Sequence, residues 1–246
     1  MLEIINLYKS FGDQRVLSGL NLSIAQGQIH TIVGGNGSGK TTLFNLITGF
    51  LRPDSGEIRF KNDPIATISP VSINAKGITR TFQDLRIIKQ LSVKENILLS
   101  FKDNPGENIL NSLLPQSIFK NPYKEYSQKA DGIIEKIHLT GVKNNLAGEI
   151  SYGQQKLLTL GCCLANDARF LLLDEPVAGI DKDNYQRIFD LVFALKHEGR
   201  TILQIEHNHE YVKSLSDGIW FLNLGQAIFF KEYESFKIDN TVKEKY

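Results

Sequence analysis

Residues 34–41 read Gly34-Gly35-Asn36-Gly37-Ser38-Gly39-Lys40-Thr41, a run that fits G-x-x-x-x-G-K-[ST]. It lies between an aliphatic strand-like run, Ile29 to Val33, and a segment in which Leu43, Phe44, Leu46 and Ile47 recur at helical spacing before Gly49 and Pro53 close it. A strand, a glycine-rich turn and a helix in that order constrain the fold more than any other feature of the chain. Glycines let successive backbone N–H groups turn inward around an anion, and the helix start adds partial positive charge. In such a loop Lys40 neutralises β- and γ-phosphates, the Thr41 hydroxyl binds Mg2+, and Thr42 donates to phosphate. A plain glycine-rich turn with a surface lysine is the weaker reading, because both flanks are of the required type.

The remaining elements fit a layered α/β domain. Leu2 to Leu7, Leu20 to Ile24 and Glu57 to Phe60 read as strands between turn signals, and they form an N-terminal β region. Towards the C-terminus a buried strand, Phe170 to Asp174, precedes a helix, Tyr185 to His197, and a further strand, Thr201 to Glu206. Strands alternating with helices of this length imply a parallel sheet. Gly218 to Leu222 and Ala227 to Phe230 flank Asn223-Leu224-Gly225 as a terminal hairpin, and Lys231 to Tyr246 is expected to fray.

The middle differs in character. Ser92-Val93-Lys94-Glu95 has the form of a capping box opening a helix through Leu99, and a second helix is expected near Glu125 to Ile137. Asn104-Pro105-Gly106 and Asn121-Pro122-Tyr123 read as breaks. The expected organisation is therefore a nucleotide-binding core of residues 1–91 and 149–246, with residues 92–148 inserted as a helical subdomain.

Composition narrows the setting. The 246 residues suffice for one large domain, or a core with a subdomain. Lys and Arg total 28 against 27 Asp and Glu, a net charge of +1, which disfavours a non-specific grip on nucleic acid or anionic lipid. Cys162 and Cys163 are adjacent in an apolar helical stretch and read as reduced, buried residues. No run approaches the roughly 18 apolar residues of a membrane span, and Met1 to Leu7 lacks the pattern of a signal peptide. The chain is expected to stay inside, with any membrane role supplied by a partner.

Further candidate residues surround the phosphate loop. The strand Phe170 to Asp174 carries Asp174 and then Glu175 to the carboxyl edge of the sheet, where Asp174 reaches Mg2+ and Glu175 polarises an attacking water. Ser151-Tyr152-Gly153-Gln154 opens a helix; its N-terminus is either a second phosphate-binding device or an ordinary cap. Gln83 follows a strand and could reach Mg2+ or the attacking water; His207 ends a strand and could contact the γ-phosphate. Phe11 precedes Gly12 and could stack on a purine. Each of these three taken alone is more often solvated or structural, and they gain weight as a group.

In this order the motifs resemble those of ABC-type ATPases, over about Leu2 to Phe230. Phe11 matches the adenine-stacking aromatic, Gly34 to Thr42 the Walker A loop, Gln83 the Q-loop and Ser151 to Gln154 the signature motif. Phe170 to Asp174 matches Walker B, Glu175 the catalytic glutamate, Ala178 to Asp181 the D-loop and His207 the switch histidine. Arg80-Thr81-Phe82-Gln83 and Tyr152 in the signature are similar to the importer group for branched-chain amino acids, urea and related amides. Ile150, Lys156 and Cys162-Cys163 depart from the family pattern outside the matched catalytic positions.

The resemblance implies an α/β P-loop NTPase (RecA-like) core with a mainly parallel sheet, an N-terminal antiparallel β subdomain and a helical subdomain. It implies ATP hydrolysis with Mg2+, held by Thr41, Gln83 and Asp174. Two such subunits, alike or different, would pack head to tail, so that Ser151, Tyr152, Gly153 and Gln154 of one, with Asp181 of the D-loop nearby, close over ATP on the other. Partners would be membrane permease subunits and, indirectly, a solute-binding protein, with no nucleic acid, at the cytoplasmic face of the membrane. An export ATPase of the lipopolysaccharide type and a soluble, non-transport ABC ATPase are the alternatives.

Overall fold

The computed structural model describes residues 1–82, 85–102, 120–239 and 242. The chain divides into two compact units, one of Met1–Arg80, Arg169–Ala178 and Phe193–Tyr246, the other of Thr81–Ala168 and Gly179–Val192.

The first unit holds two sheets. Strands β1 (Leu2–Phe11) and β2 (Gln14–Ile24) form a hairpin in which Phe11 faces Gln14. With β4 (Ser55–Phe60) and β5 (Asp63–Pro64) they make an antiparallel sheet ordered β2-β1-β4-β5. Both hairpin strands outrun the apolar segments Leu2 to Leu7 and Leu20 to Ile24, because their added residues are largely polar or half-exposed and carry no hydrophobic signal.

The second sheet contains β3 (Ile29–Val33), β6 (Ile78–Arg80), β7 (Phe170–Asp174), β8 (Thr201–Ile205), β9 (Gly218–Asn223) and β10 (Gln226–Phe230). Its order is β10-β9-β3-β8-β7-β6, parallel throughout except for the β9–β10 hairpin. Every residue of β3, β7 and β8 is buried, so these strands lack the alternation of a half-exposed strand; their few polar residues, such as His30, Thr31 and Gln204, are buried with the rest. Helix α1 (Lys40–Ile47) follows β3 and buries Leu43, Phe44, Leu46 and Ile47 in a core shared with Ile4, Leu7 and Leu20 of the antiparallel sheet and Phe170 and Leu172 of β7. Phe60 meets Phe170 edge-on at 5.8 Å between ring centres, so the two sheets share an aromatic contact.

Short elements escaped the sequence pattern. Helix α2 (Pro70–Ala75) is capped by Ser69, whose Oγ accepts the Ser72 N–H at 3.2 Å. Another short helix, His209–Leu215, is capped by Asn208, which accepts the Tyr211 N–H at 3.0 Å. Each is too short for a sustained period, and in each the cap was the readable sign. The expectation that the chain frays from Lys231 needs correction: Tyr233–Ile238 is helical, and Phe236 is buried against Phe221 and Phe230.

The second unit is helical. Helix α3 (Val93–Leu99) begins with the expected capping box: Ser92 Oγ accepts the Glu95 N–H at 3.2 Å and Glu95 accepts the Ser92 N–H at 2.8 Å. Helix α4 starts at Lys120 and runs to Lys136, so Asn121-Pro122-Tyr123 does not break it; proline is tolerated in a first turn, where its missing N–H would have had no partner. The expected break at Asn104-Pro105-Gly106 lies outside the described residues. Lys94 and Asp131 pair at 2.7 Å between α3 and α4. Helix α5 (Tyr152–Ala165) packs Gly161 against Ile97 of α3 and Ile137, and α6 (Lys182–His197) begins in this unit. On α5, burial pushes the Cys162 thiol up to about 11 and Cys163 higher still, and both are free cysteines. Among the described residues no helix is long and apolar enough to cross a membrane.

Within the parallel sheet, His30 of β3 is buried, accepts the Trp220 indole N–H on Nδ1 at 2.9 Å and stacks on Phe229 at 5.7 Å. Because the indole only donates, the ring proton sits on Nε2 and is given to Gln28 Oε1 at 2.9 Å. Burial lowers the His30 pKa to about 4, with Asp217 opposing, while the unfolded chain titrates near 6.5. The unfolded state therefore binds the extra proton first, and stability falls as pH drops from about 6.5 towards 4, by ~2–3 kcal/mol in all. Urea melts at pH 7 and pH 4.5 should show that loss, and His30→Gln should remove most of it; an unchanged pH dependence in the variant would refute this assignment.

Candidate nucleotide-binding site

Strand β3 releases the chain at Gly34, at the carboxyl edge of the parallel sheet where ligands collect in such folds. Gly39 has φ 102, and this left-handed backbone lets α1 start at once with Lys40. A side chain at position 39 would be strained and would press on Leu17 and Val16 at 3.0 and 3.1 Å. Inside the turn the Ser38 N–H donates to Gly35 O at 3.2 Å. The Lys40 ammonium donates to Gly34 O at 2.6 Å and Gly35 O at 2.9 Å, which fixes it within the loop. Gly34, Gly39 and Lys40 are buried, Gly35, Ser38 and Thr42 half-buried, and Asn36, Gly37 and Thr41 exposed. Burial lowers the Lys40 pKa, and the carboxylates of Glu175 and Asp174 act against that shift.

Those carboxylates end β7. Asp174 is buried opposite Ile205 of β8, and the Glu175 N–H donates to Ile205 O at 3.0 Å. Glu175 has φ 50, a left-handed conformation that costs a non-glycine residue about 1–3 kcal/mol and turns the chain out of the strand at this point. His207 follows β8, with Nε2 3.8 Å from Glu175 Oε1. Burial first, and the Lys40 charge second, hold the imidazole below its ordinary value, with Glu175 opposing, so it is neutral at pH 7. The structure thus brings Lys40, Asp174, Glu175 and His207 into one electrostatically linked group.

Phe11 ends β1 and is 48% exposed, with Lys9 Nζ 5.6 Å from the ring centre. Gln83 lies outside the described residues; the strand leading towards it, β6, ends at Arg80.

A second group lies in the helical unit. Ser151 Oγ accepts the Gln154 N–H at 3.3 Å and Gln154 Oε1 accepts the Ser151 N–H at 3.0 Å, a reciprocal cap that opens α5. Tyr152 is exposed, with Lys156 Nζ 5.4 Å from its ring centre. Gly153 is buried against Asn184: a Cβ there would meet Asn184 Nδ2 at 2.5 Å and its Cβ at 2.7 Å. Asn184 in turn donates to Asp181 through its backbone N–H at 2.9 Å and its amide at 2.6 Å. Asp181 thereby caps α6, and the same asparagine dictates a glycine at 153.

Two residues behind the first group were not singled out from the sequence. Glu206 is buried, and its carboxylate accepts the Val177 N–H at 2.9 Å, the His207 N–H at 3.0 Å and the Asn208 N–H at 3.3 Å, tying the loop after Glu175 to the turn that carries His207. Arg80 is buried beside Asp174. For Glu206 the available signal was a full charge closing a buried strand, where an unpaired one would be costly; Arg80 ends a three-residue strand with one apolar residue, which gives little such signal.

The sheet order, the phosphate loop and the carboxylates at its edge define a P-loop nucleotide-binding protein. The family model for ABC transporters matches residues 17–178, and the chain belongs to the ABC transporter family. It is 38% identical over 223 residues to the "Probable branched-chain amino acid transport ATP-binding protein LivG" of Methanocaldococcus jannaschii, covering 91% of this chain and 86% of that one. It is 35% identical over 229 residues to the high-affinity branched-chain amino acid transport ATP-binding protein BraF of Pseudomonas aeruginosa, covering 93% and 90%. The fold superposes with a TM-score of 0.85 on a nucleotide-free ATP-binding cassette of an ABC transporter, at 36% identity and 99% and 97% coverage. A cassette of an ABC transporter in its ADP conformation gives 0.83 at 34% identity, with the same coverage.

The Glu206 contacts make a specific prediction. In Glu206→Gln one side-chain oxygen becomes an amide that cannot accept, so amide hydrogen exchange should accelerate at Val177 or at His207 and Asn208, and stability should fall by about 1–3 kcal/mol. Exchange unchanged at all three amides would show that the carboxylate does not hold the two loops together.

Proposed function

We propose that this chain is the ATP-binding and ATP-hydrolysing subunit of an importer for branched-chain amino acids or related amides. The carrying observation is the convergence of Lys40 with Asp174, Glu175 and His207 at the carboxyl edge of one parallel sheet. The names of the LivG and BraF relatives support the transport class and the substrate. In this reading the backbone of Gly34 to Thr42 and the Lys40 ammonium bind the β- and γ-phosphates, and Phe11 stacks on the adenine. Glu175 takes the proton of the attacking water, whose oxygen bonds the γ-phosphorus as the bond to the ADP oxygen breaks. His207, neutral and beside Glu175, donates to the γ-phosphate.

The donor set suits Mg2+: the Asp174 carboxylate and the Thr41 hydroxyl, with the Gln83 amide oxygen, are hard oxygen ligands of the kind this ion takes alongside water and phosphate. When bound, it would neutralise charge developing on the β- and γ-phosphates. Ser151, Tyr152, Gly153 and Gln154 would contact the nucleotide of a second subunit, alike or different, with Asp181 beside that contact. We take residues 1–91 and 149–246 as the nucleotide-binding core and 92–148 as the subdomain that, with the Gln83 region, passes closure to membrane permease subunits. Held by those partners, the chain would sit peripherally at the cytoplasmic face, with a solute-binding protein delivering substrate on the other side.

Two variants test the reading. Lys40→Ala should weaken ATP binding by tenfold or more, roughly the loss of one charge-assisted contact, measured by equilibrium titration. Glu175→Gln should keep ATP binding and lower turnover by about 10²–10⁴-fold. Normal turnover in the glutamine variant would remove Glu175 as the base, and unchanged ATP binding in the alanine variant would remove the phosphate loop.

A further inference from the structure

Arg80 carries a full positive charge behind the phosphate loop. It ends β6, and its side chain is only 4% exposed. Nη2 donates to Asp174 Oδ2 at 2.8 Å, Nη1 donates to Asn45 Oδ1 at 2.6 Å, and the guanidinium carbon lies 5.1 Å from the centre of the Phe44 ring. Phe44 and Asn45 belong to α1, and Asp174 ends β7. One guanidinium therefore joins the helix after the loop to the strand that ends in the carboxylate.

Stability alone does not account for such a pair. A buried ion pair seldom stabilises a fold more than an apolar pair of the same size, because both partners lose their hydration. What the pair does change is the potential at Asp174. A cation fixed on one carboxylate oxygen cancels most of its charge and repels a second cation approaching the same group.

We propose that Arg80 makes metal loading depend on the nucleotide. Its charge lowers the affinity of the Asp174 site for a free divalent ion, so the ion enters with a polyphosphate, whose negative charge outweighs that of Arg80. This rests on the reading of Asp174 and Thr41 as Mg2+ ligands given above. Arg80 acts here through Asp174 and is a positioning residue, not a group that touches the nucleotide. Asn45 and Phe44 hold the guanidinium in place, since its second hydrogen bond and its flat face are both taken up by α1.

Mn2+ is the probe, followed by electron paramagnetic resonance on the purified chain, with and without ADP. In wild type, ADP should raise the Mn2+ affinity by about a hundredfold or more, since the phosphates supply the missing negative charge. Without nucleotide, Arg80→Gln, which keeps a polar side chain and drops the charge, should bind Mn2+ about tenfold or more tightly than wild type, and Arg80→Met should do the same. Arg80→Lys keeps the charge and should match wild type. Asn45→Ala removes a hydrogen bond but no charge and should also match it.

Equal Mn2+ affinity in wild type and the neutral variants would overturn the proposal, and so would a gain of the same size in Asn45→Ala. A wild-type chain that binds free Mn2+ as tightly as it does with ADP overturns it without any variant. A wild type that binds neither ADP nor Mn2+ with ADP would overturn the nucleotide-site reading itself, and this proposal with it. Wild-type Mn2+ binding that rises with ADP, combined with no gain in the neutral variants, removes only the role of Arg80.

Discussion

Five charges meet at one edge of the parallel sheet, and their mutual balance shapes everything near them. Lys40 and Arg80 are cationic, and Asp174, Glu175 and Glu206 are anionic. Arg80 and Asp174 pair directly at 2.8 Å, and Glu206 is satisfied by the backbone N–H groups of Val177, His207 and Asn208. Lys40 lies in the field of both β7 carboxylates while its amine is held by the carbonyls of Gly34 and Gly35. Lys40, Arg80, Asp174 and Glu206 in this partly dry region each have a partner of opposite sign or several backbone dipoles, as burial of ions requires. His207 stays neutral in the same field, since its burial and the Lys40 charge outweigh the nearby Glu175.

The fold supplies that balance through strand order. β3, β8 and β7 are neighbours and parallel, so their carboxyl ends open side by side and deliver Gly34, the Glu206–His207 turn and the Asp174–Glu175 pair to the same edge. β6 lies beside β7 and brings Arg80 up behind Asp174. The strands can be buried because α1 and the antiparallel sheet cover the core they share, which includes Phe44, Phe60 and Phe170. Buried strands with charged ends place the ionised groups at the rim, while interior polar side chains pair with one another, as Gln204 does with Thr31.

What could be read from the sequence follows the strength of local signals. The phosphate loop, the capping boxes at Ser92 and Ser151 and the fully buried β3, β7 and β8 each carry a dense local code, and the structure contains them all. Polar extensions of β1 and β2 carry none, because a half-exposed hairpin strand is fixed by its cross-strand partners. Pro122 misled because a proline's meaning depends on whether the helix starts before or after it, and that boundary is set by packing. The C-terminal helix was missed for a similar reason: it is six residues long with a single buried side chain, Phe236, whose importance is its contact with Phe221 and Phe230. Arg80 and Glu206 were visible as charges at strand ends, but Asp174 lies 94 positions from Arg80 and Val177 29 positions from Glu206.

The helical unit solves a related problem with a different device. At the phosphate loop, glycine gives the backbone a left-handed turn at position 39. At the start of α5, Gly153 instead makes room, since Asn184 occupies the space that a Cβ would need. Asn184 cannot withdraw easily, because two hydrogen bonds tie it to Asp181 at the cap of α6. A larger residue at 153 would therefore push on the α6 cap as well as on the α5 start, so the two helix beginnings are mechanically one object. Ser151 and Gln154 already satisfy each other in the reciprocal cap. The backbone N–H groups of Tyr152 and Gly153, which a helix leaves without an internal partner in its first turn, are then the donors this end has to offer an anion. The glycine requirement at 153 thus follows from packing in this unit, whatever the helix start binds.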